Sequence, residues 1–312
     1  MMTSEHQFKQ HRSPHYRGRF APSPTGPLHF GSLVAAFGSF LHARAAGGEW
    51  LVRIEDIDTP RTVPGAAEQQ LEALRRFGLE WDGDVVWQSR RQALYRDALA
   101  TLQRGGTLFA CHCSRAELDG RLHHGCVSQH RDGPFALRVR APDEWIGFTD
   151  ALRGPQRQNL AREVGDFVVR RADGLVAYQL AVVVDDADQG ITDVVRGADL
   201  IDSTARQIHL QCLLGLPTPS YAHLPLALDA QGHKLGKSQQ ALALDAGQPL
   251  PALRAAWAFL GQAPDALAGC STLAVTIDHA IRHFRLEQVP RQDRRLDAPE
   301  GGENPVTPSP AA

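Results

Sequence analysis

A segment rich in proline and glycine near the N-terminus lies between a strand-like run and a helix-like run, and its residues suit a phosphate ligand. Pro24 and Gly26 precede His29, and Gly31 and Ser32 follow it. The first turn of a helix has free backbone N–H groups and the positive end of the helix dipole, which favour an anion. A glycine lets the ligand approach, and His29 can donate a hydrogen bond to developing negative charge. Taken alone, the segment is better explained as a turn with a surface histidine.

A second segment, far along the chain, is basic. Lys234 and Lys237 lie three residues apart in a glycine-containing loop, and Ser238 follows them. Two cations at this spacing suit the charge of a triphosphate passing through its transition state. A basic loop alone is usually only solvated. Because it accompanies the histidine segment, the two segments together are a strong indication of a triphosphate site.

Three of the five cysteines fall within one short segment, whereas the other two stand alone. Cys111 and Cys113 are followed by Cys126, and His123 and His124 lie just before that last cysteine. Three thiolates and one imidazole complete the tetrahedral shell that zinc prefers, and the distribution is that of a metal site rather than a disulfide framework. The competing interpretation is that Cys111 and Cys113 are reduced surface thiols.

The composition is that of an ordinary globular protein. Its 312 residues are 43% hydrophobic and 22% charged, which is enough for a large core in one or two domains. The formal net charge of −2 argues against a surface covered in basic residues, so a nucleic acid would be held by a local patch. No apolar run resembles a secretory signal or reaches membrane-spanning length. We therefore expect a cytoplasmic protein without a membrane partner.

The elements around the histidine segment alternate between strand and helix. Arg19–Ala21 ends a short strand, and Leu33, Phe37 and Leu41 mark a helix by their four-residue spacing. Trp50–Ile54 is then a second strand. A strand, a helix and a strand in this order predict a parallel sheet.

Further elements follow along the chain. Residues 64–78 and 94–105 have helical patterns, and residues 167–184 resemble a hairpin that turns at Asp173–Gly174. Ser203 is a plausible N-cap of a helix that Gly215 ends. We predict a doubly wound, Rossmann-like α/β catalytic domain in two halves, 17–110 and 162–245, with an insertion at 111–161, a small helical part at 246–290, and disordered ends at 1–16 and 291–312.

The two phosphate-type segments resemble the H-I-G-H and K-M-S-K-S motifs of class I aminoacyl-tRNA synthetases. More narrowly, Arg19–Gly26, Arg53–Asp58 and Val195–Leu200 resemble the glutamyl branch of that class, and the similarity covers about residues 17–290. A full glutamyl enzyme would continue into a helical anticodon-binding domain. We expect none here, so the chain resembles the truncated paralogues of that branch.

The resemblance implies site residues for glutamate and for ATP with Mg²⁺, and it implies that His29, Lys234 and Lys237 are the catalytic residues. The ATP set is Pro24, Gly26, His29, Gly31, Ser32, Lys234, Lys237 and Ser238. The glutamate set is Arg19, Phe20, Ala21, Pro22, Ser23, Glu55, Tyr178 and Arg196. In it Arg19 pairs with the side-chain carboxylate of the substrate and Glu55 accepts from its ammonium group, as a dicarboxylic amino acid requires.

The sequence departs from the family's motifs at several positions. Ser32 replaces the second histidine of H-I-G-H, and Leu235 and Gly236 replace Met-Ser of K-M-S-K-S. Ser32 retains a hydrogen-bond donor and both lysines remain, so we expect an active enzyme with altered mobility of the ATP loop.

The family's zinc site is Cys-x-Cys, Tyr, Cys, and here the place of the tyrosine is Leu122. Cys111, Cys113 and Cys126 then need another fourth ligand. We expect His124, or nearly as readily His123, and one structural Zn²⁺ that orders the insertion.

The resemblance also implies the reaction. ATP activates glutamate, and the glutamyl group is then transferred to queuosine at the wobble position of tRNA(Asp). We expect the enzyme to be a monomer. Three alternatives remain open: a conventional glutamyl- or glutaminyl-tRNA synthetase, a catalytically silent RNA-binding paralogue, and a nucleotidyltransferase that shares the H-x-G-H motif.

Overall fold

The structure is a computed structural model that describes residues 6–7, 15–128, 132–229, 231–233, 244 and 246–295. Its α-helices are α1 (Phe30–Ala45), α2 (Ala66–Arg76), α3 (Gln92–Arg104), α4 (Arg115–Leu118), α5 (Leu160–Glu163), α6 (Tyr178–Asp188), α7 (Thr204–Leu214), α8 (Pro249–Phe259) and α9 (Leu273–His283). Its strands are β1 (His6–Gln7), β2 (Arg17–Phe20), β3 (Glu49–Ile54), β4 (Val86–Trp87), β5 (Leu108–Cys111), β6 (Ala136–Val139), β7 (Trp145–Asp150), β8 (Gly154–Asn159), β9 (Phe167–Arg170), β10 (Asp193–Gly197), β11 (Ser220–Leu224), β12 (Ala227–Leu228) and β13 (Arg294–Arg295). Among the described helices, none has both the length and the apolar character needed to cross a membrane.

Parallel strands form the centre of the molecule, as predicted. β2, β3 and β4 pair in parallel, and so do β7, β11 and β10. The two groups meet where β10 runs beside β2, and the backbone N–H of Thr192 donates to the carbonyl of Arg17 at 2.9 Å. The chain thus brings the ends of β2, β3 and β10 to one edge, where a doubly wound sheet binds its ligands.

Helix α1 is built around the spacing seen in the sequence. Leu33, Phe37 and Leu41 are fully buried, and the helix begins after His29, whose side chain caps it. Burying each such side chain stabilises the fold by about 1.5–3 kcal/mol. The helical C-terminal part packs on this helix, because Trp257 of α8 and Ala280 of α9 belong to the same apolar core as α1.

The predicted hairpin at residues 167–184 is wrong in its second half. β9 and the turn at Asp173–Gly174 are present, but Val176 makes only a single bridge to Arg170 before α6 begins at Tyr178. A short apolar run does not distinguish a buried strand from a buried helix. Here the run is helical because α6 is packed between core side chains and buries Val182 and Val183 together.

Two predicted boundaries also differ from the structure. The antiparallel sheet of β5, β6 and β9 starts at Leu108 and ends at Arg170, whereas β7, inside the predicted insertion, pairs with β11 in the parallel sheet. The tail predicted from residue 291 includes β13, which pairs with β12. Pairing between distant segments decided both boundaries, and local composition does not show such pairing.

Candidate active site

The loop between β2 and α1 presents the predicted phosphate-type residues at a helix start. His29 is the N-cap of α1, and its Nδ1 accepts a hydrogen bond from the backbone N–H of Ser32 at 3.3 Å. In the neutral imidazole this leaves the hydrogen on Nε2. A Cβ at Gly31 would lie 3.2 Å from His29 Cε1, so glycine gives the ring its room.

A cavity of about 300 Å³ opens at this helix start. His29, Gly31 and Ser32 line it, and so do Gly197 from β10 and Leu226 beyond β11. Of the remaining predicted ATP residues, Pro24 and Gly26 lie in the loop but do not line the cavity. Lys234, Lys237 and Ser238 lie outside the described residues.

A second cavity of about 500 Å³ collects the predicted glutamate residues. Seven of the eight line it: Arg19, Phe20, Ala21, Ser23, Glu55, Tyr178 and Arg196. Pro22 lines the first cavity instead. Phe20, Ser23, Gly197 and Asp199 contribute to both cavities, which therefore adjoin.

Asp186, which no sequence motif indicated, holds the cationic wall of the second cavity in place. Arg19 makes two hydrogen bonds to the buried Asp186, at 3.0 and 3.3 Å. Burial alone would raise the pKa of Asp186, but Arg19 and Arg53 beside it hold that pKa below its usual value. Arg53 is fully buried and contacts Asp186 at 2.8 Å and Glu55 at 3.4 Å. Arg53 therefore serves a structural ion pair behind the cavity and does not line it.

Glu55 is the anionic group of the cavity. Burial raises its pKa to about 7, although Arg53 and Arg19 act in the opposite direction. Burial also raises the pKa of Tyr178, at the start of α6, so its hydroxyl stays protonated. A carboxyl group that titrates near neutrality and faces a cavity is a candidate for binding a ligand cation.

Arg196 at the end of β10 has one unused donor. Its Nε donates to His223 Nε2 at 3.0 Å and its Nη2 donates to Thr204 Oγ1 at 2.9 Å. Its Nη1 is buried and has no hydrogen-bond partner among the described residues. A buried donor without a hydrogen-bond partner destabilises the protein. A ligand carboxylate can accept from it in a charge-assisted hydrogen bond.

Gln70, on α2, ties the loop to the rest of the site. Its Nε2 donates to the carbonyls of Ser23, at 3.2 Å, and Gly26, at 2.6 Å. Nothing in the sequence singled out Gln70, Asp186 or His223, because the hydrogen-bond partner of each is distant along the chain. Asp58, at the end of the Arg53–Asp58 motif, pairs with Arg61 and Arg171.

The cysteine cluster lies apart from both cavities. The sulfurs of Cys111, Cys113 and Cys126 lie within 4.8 Å of one another, the distance expected of groups that share a metal ion. His123 Nε2 is 3.1 Å from Cys111 Sγ, whereas His124 is exposed; neither histidine belongs to the group of three sulfurs among the described residues. The structure therefore places His123, and not the expected His124, beside the thiols.

The position of His123 has two structural causes. Its backbone forms a bridge to Gly165, and its Nδ1 lies 3.1 Å from Asp166 Oδ2. Asp166 is itself fixed, since its Oδ1 accepts from the backbone N–H of Ala141 at 2.9 Å. A carboxylate behind a histidine is the usual way to orient a metal-binding imidazole.

The fold and the site have known counterparts. Residues 15–131 and 121–253 match the family model described as tRNA synthetases class I (E and Q), catalytic domain. The glutamate tRNA ligase of Elizabethkingia meningosepticum, solved in complex with its amino acid, superposes with a TM-score of 0.76 at 27% identity, over 91% of this chain and 67% of that one. The protein is thus an aminoacyl-tRNA synthetase of class I.

Within that class, the chain belongs to the glutamyl- and glutaminyl-type family, which confirms the resemblance seen in the sequence. A protein of Xanthomonas axonopodis pv. citri named glutamyl-Q tRNA(Asp) synthetase is 59% identical over 92% of this chain and 97% of its own length. A protein of Aromatoleum aromaticum with the same name is 56% identical over 90% of this chain and 92% of its own length.

Proposed function

We propose that the protein activates glutamate with ATP and transfers it to the queuosine of tRNA(Asp). The observation that carries the proposal is the pair of adjoining cavities, one at the helix start that bears His29 and one lined by Arg19, Glu55 and Arg196. A dicarboxylic amino acid needs cationic donors at its carboxylates and an anion at its ammonium group. The second cavity offers these groups within reach of the first.

The reaction has two steps. The α-carboxylate of glutamate attacks the α-phosphorus of Mg-ATP, and pyrophosphate leaves. A hydroxyl of the queuosine cyclopentenediol then attacks the carbonyl carbon of the adenylate, and AMP leaves. Both steps depend on positioning and on stabilising negative charge, for which the N–H groups at the start of α1 and His29 are suited. Lys234 and Lys237 are proposed to neutralise the phosphates.

The choice of acceptor rests on the relatives. Proteins named glutamyl-Q tRNA(Asp) synthetase match this chain over nearly their whole length, at 56–59% identity. An enzyme of this kind binds an anticodon loop where other synthetases bind an acceptor end.

The acceptor is tested with two preparations of one tRNA. Labelled glutamate should appear on tRNA(Asp) from cells that make queuosine and not on tRNA(Asp) from cells that cannot. Removal of the 3′-terminal adenosine should leave this labelling intact, because the ester forms at the wobble base. Equal labelling of queuosine-free tRNA(Glu) would instead assign the protein as a conventional synthetase.

We also propose that Cys111, Cys113, Cys126 and His123 hold one structural zinc ion. Three sulfurs and an imidazole nitrogen are the donor set that zinc takes in closed sites, and the hydrogen bond to Asp166 fits a histidine that binds metal through Nε2. The metal would tie the segment around Cys126 to β5.

The zinc proposal is tested by metal analysis of reduced protein and of two variants. The parent should carry close to one zinc, His123→Ala should lose most of its zinc affinity, and His124→Ala should keep it. Zinc retained by His123→Ala and lost from His124→Ala would reverse the assignment.

A further inference from the structure

Arg196 is held by acceptors on three sides. Besides His223 and Thr204, the carbonyl of Leu200 accepts from its Nη2 at 3.3 Å, and the guanidinium carbon lies 5.5 Å from the centre of the Tyr221 ring. These contacts leave Nη1 as the donor without a partner among the described residues. The direction of that donor therefore depends on how firmly the other nitrogens are held.

His223 on β11 can hold Arg196 in one tautomer only. Arg196 Nε donates a hydrogen bond of 3.0 Å to His223 Nε2. Because an arginine donates and never accepts, this Nε2 must carry no hydrogen. The hydrogen then lies on Nδ1, which faces Asp150 Oδ2 at 2.6 Å. The side chain is fully buried, and burial lowers its pKa, so the ring stays neutral.

Asp150, at the end of β7, determines that tautomer. Its Oδ1 accepts from the backbone N–H groups of Leu152, at 3.0 Å, and Arg153, at 2.8 Å, which leaves Oδ2 for His223. Burial by itself would raise the pKa of Asp150, but the hydrogen bonds from His223 and from the backbone hold that pKa below its usual value. A fixed carboxylate therefore faces Nδ1.

We propose that Asp150 and His223 are positioning residues that fix Arg196 so that its Nη1 meets a carboxylate of the amino-acid substrate. Neither residue lines the glutamate cavity, so each acts through Arg196. The proposal rests on the function proposed above, because it needs a substrate with a carboxylate at this place.

Two variants of His223 separate positioning from a merely structural role. In His223→Gln the amide oxygen can take the place of Nε2 and accept from Arg196, while Asp150 loses its partner. In His223→Asn the amide nitrogen can take the place of Nδ1 and donate to Asp150, while Arg196 Nε loses its acceptor.

Positioning predicts that the Asn variant raises the KM for glutamate about tenfold or more, the loss expected of a hydrogen bond to a charged group. In the Gln variant the KM for glutamate should stay within about threefold of the parent value. That variant leaves the buried Asp150 carboxylate without its partner, so it should have the lower melting temperature of the two. The KM for ATP should change in neither. Equal glutamate KM values in the two variants, or a larger rise in the Gln variant, would overturn the proposal.

A spectroscopic measurement is independent of the substrate. In Asp150→Asn the backbone N–H groups of Leu152 and Arg153 should still donate to the amide oxygen, so the amide nitrogen faces His223. That nitrogen donates to Nδ1, which moves the ring hydrogen to Nε2, where it opposes the N–H of Arg196. The ¹⁵N shifts of His223, assigned by their loss in His223→Gln, should show Nδ1–H in the parent and Nε2–H in Asp150→Asn. Nε2–H in the parent, or no change in the variant, would refute the relay even if the protein activated no glutamate.

Discussion

At the scale of single residues, the glutamate cavity balances its charges before any substrate is present. Arg19 is already neutralised by Asp186, and Arg53 stands behind Glu55. A ligand carboxylate therefore adds to an existing ion pair at Arg19, whereas at Arg196 it satisfies a donor that has no other partner among the described residues. We infer that Arg196 contributes more than Arg19 to the binding of glutamate.

Glu55 predicts how glutamate binding depends on pH. The ammonium group of the substrate needs the ionised carboxylate, and burial raises the pKa of Glu55 to about 7. Glutamate should therefore bind about tenfold more weakly one unit below that pKa than well above it. Calorimetric titration of glutamate at about pH 6 and about pH 8 measures this difference. Glu55→Gln should bind weakly at both pH values, and an unchanged pH dependence in that variant would exclude Glu55 as the cause.

The raised pKa of Glu55 also predicts how the free energy of unfolding changes with pH. Between the ordinary value of 4.5 and about 7, the folded chain holds a proton on Glu55 that the unfolded chain has lost. The contribution of Glu55 to the free energy of unfolding should therefore fall as pH rises through this window. Urea titrations across this range measure the free energy of unfolding of Glu55→Gln and of the parent. As pH rises, the variant should become more stable relative to the parent.

At the scale of elements, α2 holds the loop that precedes α1. Gln70 donates to two carbonyls of that loop, and its own side chain is buried. Because this loop leads to His29 at the N-cap of α1, hydrogen bonds from a different helix hold one wall of the first cavity in place.

Gln70→Leu should raise the KM for ATP several-fold, since about 1 kcal/mol is lost with each of the two hydrogen bonds. Steady-state pyrophosphate exchange at saturating glutamate measures it. Gln69→Leu is the matched control, because Gln69 is the exposed neighbour on the same helix. A rise of equal size in the control would show that the effect does not come from the loop.

Two glycines on either side of β9 offer a second pair of matched variants. Gly165 and Gly174 both have positive φ, of 75° and 90°, but only a Cβ at Gly165 would meet backbone, 2.5 Å from His123 N. Gly165→Ala should therefore weaken zinc binding and lower the melting temperature more than Gly174→Ala, in which only backbone strain of about 1 kcal/mol is added. Competition with a chelator and thermal unfolding measure the two effects. Equal losses would mean that the position of His123 does not depend on Gly165.

At the scale of the whole molecule, the segment up to Arg295 joins parts that lie far apart in the chain. Asp293 accepts from the backbone N–H of Leu226 at 3.0 Å and pairs with Arg153, next to β7. The guanidinium of Arg294 donates to the carbonyls of Ala258 and Phe259 at the end of α8. The segment thus supports the wall of the first cavity, to which Leu226 belongs.

Two truncated chains test this support. A chain that ends at Arg295 keeps these contacts, whereas a chain that ends at Pro290 loses them. The shorter chain should melt roughly 5 °C or more below the longer one, because several hydrogen bonds of about 1 kcal/mol each are removed. Its KM for ATP should also be higher. Identical melting temperatures would show that β13 adds nothing to the fold.

The sequence by itself determined the family and the strand–helix–strand start of the sheet, and it singled out three thiols that lie together and seven residues that line one cavity. Those features depend on residues close together in the chain, such as the spacing of Leu33, Phe37 and Leu41, or on motifs whose order is enough to identify them. Lys234 and Lys237 stay predictions, since they lie outside the described residues.

Only the tertiary structure decided which groups hold those residues in place. His223 and Asp150 are 73 residues apart, and Arg19 and Asp186 are 167 apart, so no local pattern links them. The run from Tyr178 to Asp188 became a helix because of the core around it, and His123 rather than His124 lies beside the thiols because its backbone is bridged to Gly165. Local periodicity indicates that a residue is buried, but its partner is set by the packing of elements that are remote in sequence.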